Sequence, residues 1–398
     1  MMNQPELKFD FPKQRGPLQG VRVLELAHIM AGPVCGLMLA DLGADVIKVE
    51  KMPGGDDTRR MIPPKVCEES AAFMMMNRNK RGIAINLKQE QGKEILRKLV
   101  AEADVLIENY RHDTMKKLGL GYDELKQINP GLVYCEISGF GRSGPFMEQG
   151  GFDLIAQGMS GLMSITGEEP GRSPVKVGAP LTDITAGILG ALGAVSALVQ
   201  RNASGQGQKV DTSLFEAGIV HTYWQSAICM ATGVSPGPMG SAHPLNAPYQ
   251  TFRTRDGWIN VGAANQRNWE RLLEVLGVPE MGSDPRFEDN HGRMDNLKPL
   301  EEELNKVFET RTTKEWLERL AEVGVPSGPV LDIQEMHRHP QTQARQMVTE
   351  VNHPAEGKVE TIGLPIKLSE TPGGVQRPSP LYGCLLYTSD AADEQDRG

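Results

Sequence analysis

One aspartate stands where a carboxylate could do chemistry. Asp183 ends the run Val177-Gly-Ala-Pro-Leu-Thr-Asp183, and beyond it Ile188, Leu192, Val195 and Val199 recur at helical spacing. Up to Pro180 the chain reads as a loop, and Asp183 takes the N-cap place of the predicted helix. The residues alone leave two readings open. As a cap, Asp183 would contribute about 1 kcal/mol of stability. As a nucleophile, it would attack a carbonyl from a helix start, where the macrodipole and free N–H groups favour a carboxylate and a developing oxyanion. Its reference pKa of about 3.9 implies ionisation at pH 7 without special tuning. The same helix carries Ala186, Gly187, Gly190, Ala191, Gly193, Ala194 and Ala197. Each interior Gly costs about 1 kcal/mol relative to Ala. Three of them imply that a neighbouring helix, a partner subunit or a ligand approaches the backbone closely.

The elements that would position such a carboxylate follow from the apolar pattern. Residues 21–26, 45–50, 82–87, 105–107 and 132–137 read as short strands. Helices are expected at 33–42, ended by Gly43, and at 91–103. The compact βαβ start predicts an α/β fold, a large doubly wound, Rossmann-like parallel sheet covered by helices. Ligands of such sheets bind beyond the carboxyl ends of the strands. That rule brings together His28, Lys51, Asn109 and Ser138. Gly139-Phe-Gly-Arg-Ser-Gly144 also matches the dinucleotide pattern G-x-G-x-x-G, which would suggest an oxidoreductase. Pro145 and the turn-like Glu148-Gln-Gly-Gly151 leave no clear helix behind it, which counts against that reading.

A helix is expected over 214–232, followed by a Gly/Pro/Ser-rich linker over 233–248. Tyr249-Gln-Thr-Phe252 and Trp258-Ile-Asn-Val261 flank Arg255-Asp256-Gly257, a hairpin signal. Helices follow at 268–276, 296–309 and 314–323, the last opened by the capping-box pair Thr312 and Glu315. The expected organisation is a large α/β domain over 1–213, a linker helix and loop over 214–245, and a small α+β domain over 246–325. The chain would return to the large domain over 326–383, with closing strands at 347–351 and 361–365. Residues 384–398 have no periodicity and read as an atypical tail outside the fold.

The composition is that of a globular enzyme, with 398 residues, 39% hydrophobic and 23% charged. A net charge of −9 argues against a nucleic-acid binder. The Ala/Gly-rich helix reads as too short and too weakly hydrophobic to span a bilayer, and residues 1–16 have no apolar signal core. A cytoplasmic location without membrane contact is expected. Cys35, Cys67, Cys135, Cys229 and Cys384 form no C-x-x-C pair, so free thiols are expected rather than disulfides or zinc. His337 and His339 read as surface residues, and no metal site is expected.

Several motifs in order resemble those of the class III CoA-transferases, which include formyl-CoA and dicarboxylate CoA-transferases and have the α-methylacyl-CoA racemases as relatives. They are Ala31-Gly-Pro33, Leu42-Gly-Ala-Asp-Val-Ile-Lys-Val-Glu50, Gly55-Asp-Asp-Thr-Arg59, Asn77-Arg-Asn-Lys-Arg81, Glu108-Asn-Tyr110, Ser138-Gly-Phe-Gly-Arg-Ser-Gly-Pro145, Gly161-Leu-Met163 with Thr166-Gly167, Thr182-Asp183 and Gly324-Val-Pro326. Each is weak alone; together they cover roughly residues 17–383. The resemblance implies that Asp183 is the catalytic aspartate, passing through an aspartyl anhydride and an aspartyl-CoA thioester. It implies acyl-CoA and a carboxylic acid as substrates, with no permanently bound cofactor. It implies CoA contacts from His28, Ile29, Met30, Lys51, Ile85, Lys88, Asn109, Tyr110, Arg111, Lys117, Ser138 and Gly139. Ser138 departs from members that carry Lys there.

Two further departures bear on the activity. Racemases keep a His–Asp pair where this chain has Gly151-Phe152-Asp153, and Phe cannot exchange a proton. Formyl-CoA transferases close a glycine run over the anhydride, where this chain has Gly240-Ser241-Ala-His243-Pro244. That stretch resembles members acting on dicarboxylates, with Gly240, Ser241 and His243 as substrate residues and His243 orienting a distal carboxylate. A racemase and a non-catalytic CoA-binding protein are the alternatives. The family also implies a ring-shaped chain in an interlaced homodimer.

Overall fold

The computed structural model of the protein describes residues 15–66 and 69–383. The tail at 384–398, Cys67, Cys384 and all but the end of the 1–16 stretch lie outside the described residues. Two compact units divide the chain at 160/161, 176/177, 221/222 and 339/340, where the sequence suggested joins at 213/214, 245/246 and 325/326. Residues 161–176 fall in the second unit because the Gly240 N–H donates to Gly167 O at 2.9 Å and Lys298 pairs with Glu169 at 3.4 Å.

In the first unit β1 (Arg22–Leu26), α1 (Ala31–Asp41), β2 (Asp45–Lys51), β3 (Lys80–Ile85), α2 (Glu90–Ala101), β4 (Val105–Glu108), α3 (Thr114–Lys117), β5 (Val133–Ser138), α4 (Asp153–Met159), α5 (Leu181–Ser204), β6 (Lys209–Ser213) and α6 (Leu214–Val220) follow one another. The six strands form one parallel sheet in the order β3-β2-β1-β4-β5-β6. This is the doubly wound order, which reverses between β1 and β4. Successive strand residues point to opposite faces. Val23, Ile107 and Cys135 enter one core with α1 and α5, and Leu24, Leu106 and Tyr134 enter the other with Leu96 and Val100 of α2. β3 begins at residue 80, two before the expected 82. Its first residue, Lys80, is buried with its ammonium on Glu25 at 2.7 Å and on Pro33 O at 2.8 Å. A charge that reads as surface belongs to the core.

The structure corrects the reading of α5 in two ways. It starts at Leu181, so Asp183 is its third residue and not its N-cap. It is also long and apolar enough, by length and composition, to cross a bilayer. It nevertheless packs on α1, β5, β6 and α6. Its buried face is the small-residue one, Ala186, Gly187, Gly190, Ala191, Ala194 and Ala197. The stripe that reveals the helix is the outer one, with Ile188, Leu192 and Val199 exposed by 46%, 61% and 67%. A Cβ on Gly187 would lie 2.6 Å from Ala31 O, and one on Gly193 would lie 2.5 Å from Val210 Cγ1. A neighbouring helix and the sheet are what approach the α5 backbone.

In the second unit α7 (Tyr223–Thr232) is followed by β7 (Tyr249–Arg253), β8 (Trp258–Gly262), α8 (Gln266–Leu276), α9 (Leu297–Phe308), α10 (Thr313–Glu322) and β9 (Ser327–Pro329). The expected helix over 214–232 is therefore two helices, α6 and α7. They part at the poor helix former Thr222, whose hydroxyl bonds Ser226 at 2.8 Å. β9-β8-β7 is an antiparallel sheet, its hairpin closed by the Thr254 N–H on Gly257 O at 3.0 Å. The Thr312–Glu315 capping box is formed. Phe252, Ile259, Trp269, Leu304, Phe308 and Trp316 share the core. The chain then re-enters the first unit, where β10 (Val348–His353) and β11 (Gly357–Ile362) pair antiparallel.

Replacing Gly187 by Ala gains about 1 kcal/mol of helix propensity, yet the Ala31 backbone oxygen cannot turn aside. We expect Gly187→Ala to lose about 1–2 kcal/mol net through overpacking. Gly193→Ala should lose less, because it meets the end of one side chain. Thermal denaturation of both variants checks the order, and equal losses would contradict the packing of α5 on α1.

Candidate functional site

The loop after β1 is held from two sides. The His28 N–H donates to Asn109 Oδ1 at 3.0 Å, and Asn109 Nδ2 donates back to His28 O at 2.8 Å. This ties β1 to β4 where the strand order reverses. Ile29 adopts a left-handed φ of 68° and donates its N–H to Asp56 Oδ1 at 3.1 Å. The His28 ring stands edge-on to Tyr110, 5.7 Å between centroids. Beneath the loop, buried Lys48 reaches Glu25 at 2.8 Å, Asp56 at 2.8 Å and Ala27 O at 2.9 Å. Burial alone would lower the pKa of Lys48, but the two carboxylates more than offset it and hold it above its ordinary value. Burial opposes ionisation of Asp56 too, and Lys48 keeps its pKa low. Lys80, paired with Glu25, is pulled down to about 8 chiefly by burial.

Strand β4 ends in buried Glu108. It accepts from Arg142 Nη2 at 2.8 Å and from the Tyr110 N–H at 2.6 Å, and burial pushes its carboxyl up to about 7. Arg142 also donates to Tyr110 O at 3.0 Å, fastening the loop after β5 to the loop after β4. Within the former loop Gly139 and Gly151 lie back to back, and a Cβ on Gly139 would sit 2.6 Å from Gly151 Cα. No helix follows the G-x-G-x-x-G run until Asp153, so it lacks the helix N-terminus that a dinucleotide fingerprint needs.

Asp183 caps no N–H. The acceptor for the Thr182 N–H is Asp153 Oδ1, at 2.9 Å, which also takes the Thr182 hydroxyl at 2.8 Å. Leu181 donates to Ala179 O and Ile184 to Pro180 O. The Asp183 N–H itself has no acceptor among the described residues. Burial, and second the charge of Asp153, push the Asp183 carboxyl up to about 7. Its ionisation at neutral pH is thus not the untuned state that the reference value suggested.

A cleft of about 540 Å³ gathers His28, Ile29, Met30, Asn109, Tyr110, Arg111, Ser138, Gly139 and Asp183. A second cavity of about 230 Å³ takes Lys51, Ile85 and Lys88, with Tyr110 on both walls. Lys117 ends α3 and lines neither. Lys51 pairs with Asp57 at 2.6 Å, whereas Lys88, Arg111 and Lys117 have no ion pair among the described residues. Gly240, Ser241 and His243 belong to the second unit. There His243 stacks on Tyr249 at 5.1 Å, faces Trp224 edge-on at 5.9 Å and accepts the Leu245 N–H on Nδ1 at 3.1 Å. That bond assigns the neutral ring's proton to Nε2. Ser241 Oγ accepts the Thr251 N–H at 3.0 Å. Among the described residues no cluster of three His, Cys, Asp or Glu could hold a metal ion. Sequence reasoning missed Arg142, hidden inside a glycine motif, and Gln157. It noticed Asp153 only as the place of a racemase pair.

The family model of CoA-transferase family III matches residues 18–384. The human succinyl-CoA:glutarate CoA-transferase is 38% identical over 92% of this chain and 84% of its own. The succinate–glutarate CoA-transferase of Agrobacterium fabrum is 39% identical over 94% and 95%, and the acetyl-CoA:oxalate CoA-transferase of Acetobacter aceti is 38% identical over 92% of each. The crystal structure of a CAIB/BAIF family protein from Brucella suis superposes with a TM-score of 0.84 at 40% identity, covering 94% of this chain and 100% of that one.

A carboxyl group whose pKa rises on folding costs stability when it must ionise. The native state then binds more protons than the unfolded chain, so the cost appears as pH rises from about 4 and is complete above about 7. We expect Asp183→Asn, which cannot ionise, to have a higher unfolding midpoint than the parent at pH 8. The gap should close toward pH 4. A gap independent of pH would show that Asp183 titrates normally in the folded protein.

Proposed function

The chain belongs to CoA-transferase family III, and we propose that it moves CoA from an acyl-CoA donor, succinyl-CoA or a similar thioester, to a dicarboxylic acid. The observation that supports this best is the one cleft that collects Asp183 with the loops after β1, β4 and β5. In the proposed sequence, the Asp183 carboxylate attacks the acyl carbonyl and expels CoA thiolate, leaving a mixed anhydride. The thiolate attacks the aspartyl carbonyl and releases the first acid as carboxylate. The acceptor carboxylate attacks the aspartyl thioester, and the thiolate, expelled again, takes the new acyl group and frees Asp183. A carboxylate suits this exchange because its acyl anhydride stays open to further attack. The Asp183 N–H, which has no acceptor among the described residues, is the proposed donor for the oxyanion.

Arg111, Lys88 and Lys117, free of ion pairs among the described residues, are the proposed phosphate contacts, with Lys51 released from Asp57 as a fourth. The second cavity, with Ile85 and Tyr110, is proposed for the nucleotide. The names of the similar enzymes, which include glutarate, oxalate and mesaconate CoA-transferases, favour a short dicarboxylate acceptor. The Nε2–H of His243, between Trp224 and Tyr249, is the proposed donor to its distal carboxylate. A homodimer, in which a second copy covers exposed Ile188, Leu192 and Val199, is part of the same reading.

Incubation with succinyl-CoA and a panel of mono- and dicarboxylic acids, read by mass spectrometry, tests the activity. Transfer to dicarboxylates is expected, with acylated or CoA-linked Asp183 trapped on its peptide. Asp183→Ala should lower transfer by at least about 10³-fold while remaining folded, and retained transfer would refute the assignment. Sedimentation should give about twice the 43.5 kDa of one chain, against a monomer if no second copy binds.

A further inference from the structure

Phe152, which is 71% exposed, leads into Asp153, the first residue of α4. Asp153 is fully engaged. Its Oδ1 takes both the N–H and the hydroxyl of Thr182, at 2.9 and 2.8 Å, and its Oδ2 accepts from Gln157 Nε2 at 2.8 Å. Gln157, one turn further along α4 and buried, accepts the Val177 N–H at 2.9 Å and donates to Ala179 O at 3.4 Å. Two side chains of α4 therefore grip both the loop before α5 and its first turn. Asp183 is the next residue after Thr182.

We propose that Asp153 is a positioning residue of the transfer reaction, holding the first turn of α5 in place and setting a like charge beside the Asp183 carboxylate. This rests on Asp183 being the nucleophile. A like charge disfavours ionisation of its neighbour, and a more basic nucleophile is the stronger one once ionised, as thiolates show. Other ionisable groups surround α5. Arg111, His112, Arg142 and Glu148 line the cleft from the loops after β4 and β5, and His28 and Asp57 from the β1 side. Asp211 stands on β6, and Glu216 and His221 on or beside α6. Burial and Asp153 are what displace the Asp183 titration.

Aspartate Cγ carbon-13 NMR of the full chain reads the Asp183 midpoint directly, with or without turnover. The signal is assigned by its loss in Asp183→Asn. Asp153→Asn keeps an oxygen for Thr182 and removes the charge. It should lower the Asp183 midpoint by about one pH unit and shift the acid limb of kcat/KM for succinyl-CoA down by the same amount. Thr182→Val deletes one bond to Asp153 but keeps the charge, and should leave the midpoint in place. Asp153→Ser, smaller and neutral, gives the same reading should the amide variant fail to fold. An unmoved midpoint in either folded neutral variant overturns the proposal, as does an equal shift in Thr182→Val. A moved midpoint in a protein that transfers nothing would retire the nucleophile reading on which the proposal rests and leave only the influence of the Asp153 charge on Asp183 standing.

Discussion

Four buried charges under the first loop hold the sheet and the cleft in one frame. Glu25 on β1, Lys48 on β2 and Lys80 on β3 join three neighbouring strands, and Asp56 adds the segment that follows β2. Buried ion pairs rarely add net stability, but losing one partner strands the other in a dry core. The cluster also has direction. Lys48 donates to Ala27 O, and Asp56 accepts from Ile29 N–H, so the loop carrying His28 and Met30 is drawn down onto it. Room for it depends on Gly36 of α1, where a Cβ would lie 1.9 Å from Glu25 Oε2. Two basic and two acidic side chains share the site, so each buried charge faces a partner of opposite sign.

The second constraint is the close seam between α5 and α1. Small residues let α5 lie against α1 and the sheet, and that depth places its first turn at the cleft. The start of α5 is then fastened by a carboxylate from α4 rather than by its own sequence. Helix ends leave N–H groups that something must accept. Here Asp153 takes the Thr182 N–H, which frees the Asp183 side chain for other work. The two ends of this arrangement are linked through α5 itself, since its depth against α1 and the hold on its first turn together fix one carboxyl group.

Much of this was legible in the sequence, and the failures have physical reasons. Short apolar runs revealed the sheet, because buried parallel strands are rich in Val, Ile and Leu even where they also carry buried charges such as Glu25 and Lys48. The family resemblance named nine of the residues that line the cleft, five of them inside its motifs. The burial of Lys80 was not legible, because its partner Glu25 lies fifty-five positions away in the sequence. The N-cap assignment failed because Asp153 lies on another helix, and no local pattern reports an acceptor supplied from elsewhere. The ordinary pKa expected for Asp183 failed for the same reason, since burial and the neighbouring charge arise only on folding. The outward face of α5 was also invisible: a stripe of Ile188, Leu192 and Val199 marks a helix but not the side on which the core lies.

If Asp183 is the covalent nucleophile proposed above, its raised proton affinity is a consequence of shielding the intermediate. An acyl anhydride in open water hydrolyses, so the group that forms it must sit where solvent is scarce. Scarcity of solvent is also what penalises the ionised form, and burial is the largest influence on Asp183. Protection of the intermediate and ease of ionisation therefore pull in opposite directions at this one side chain. Burial and the charge of Asp153 push the half-buried carboxyl up to about 7, so the proton it must lose is held more tightly than on a free aspartate. A more exposed aspartate would ionise freely and lose its anhydride to water. A deeper one would stay protonated and never attack. In the proposed mechanism the depth of the α5–α1 seam would set reactivity as well as packing, because it decides how far the carboxyl is withdrawn from solvent.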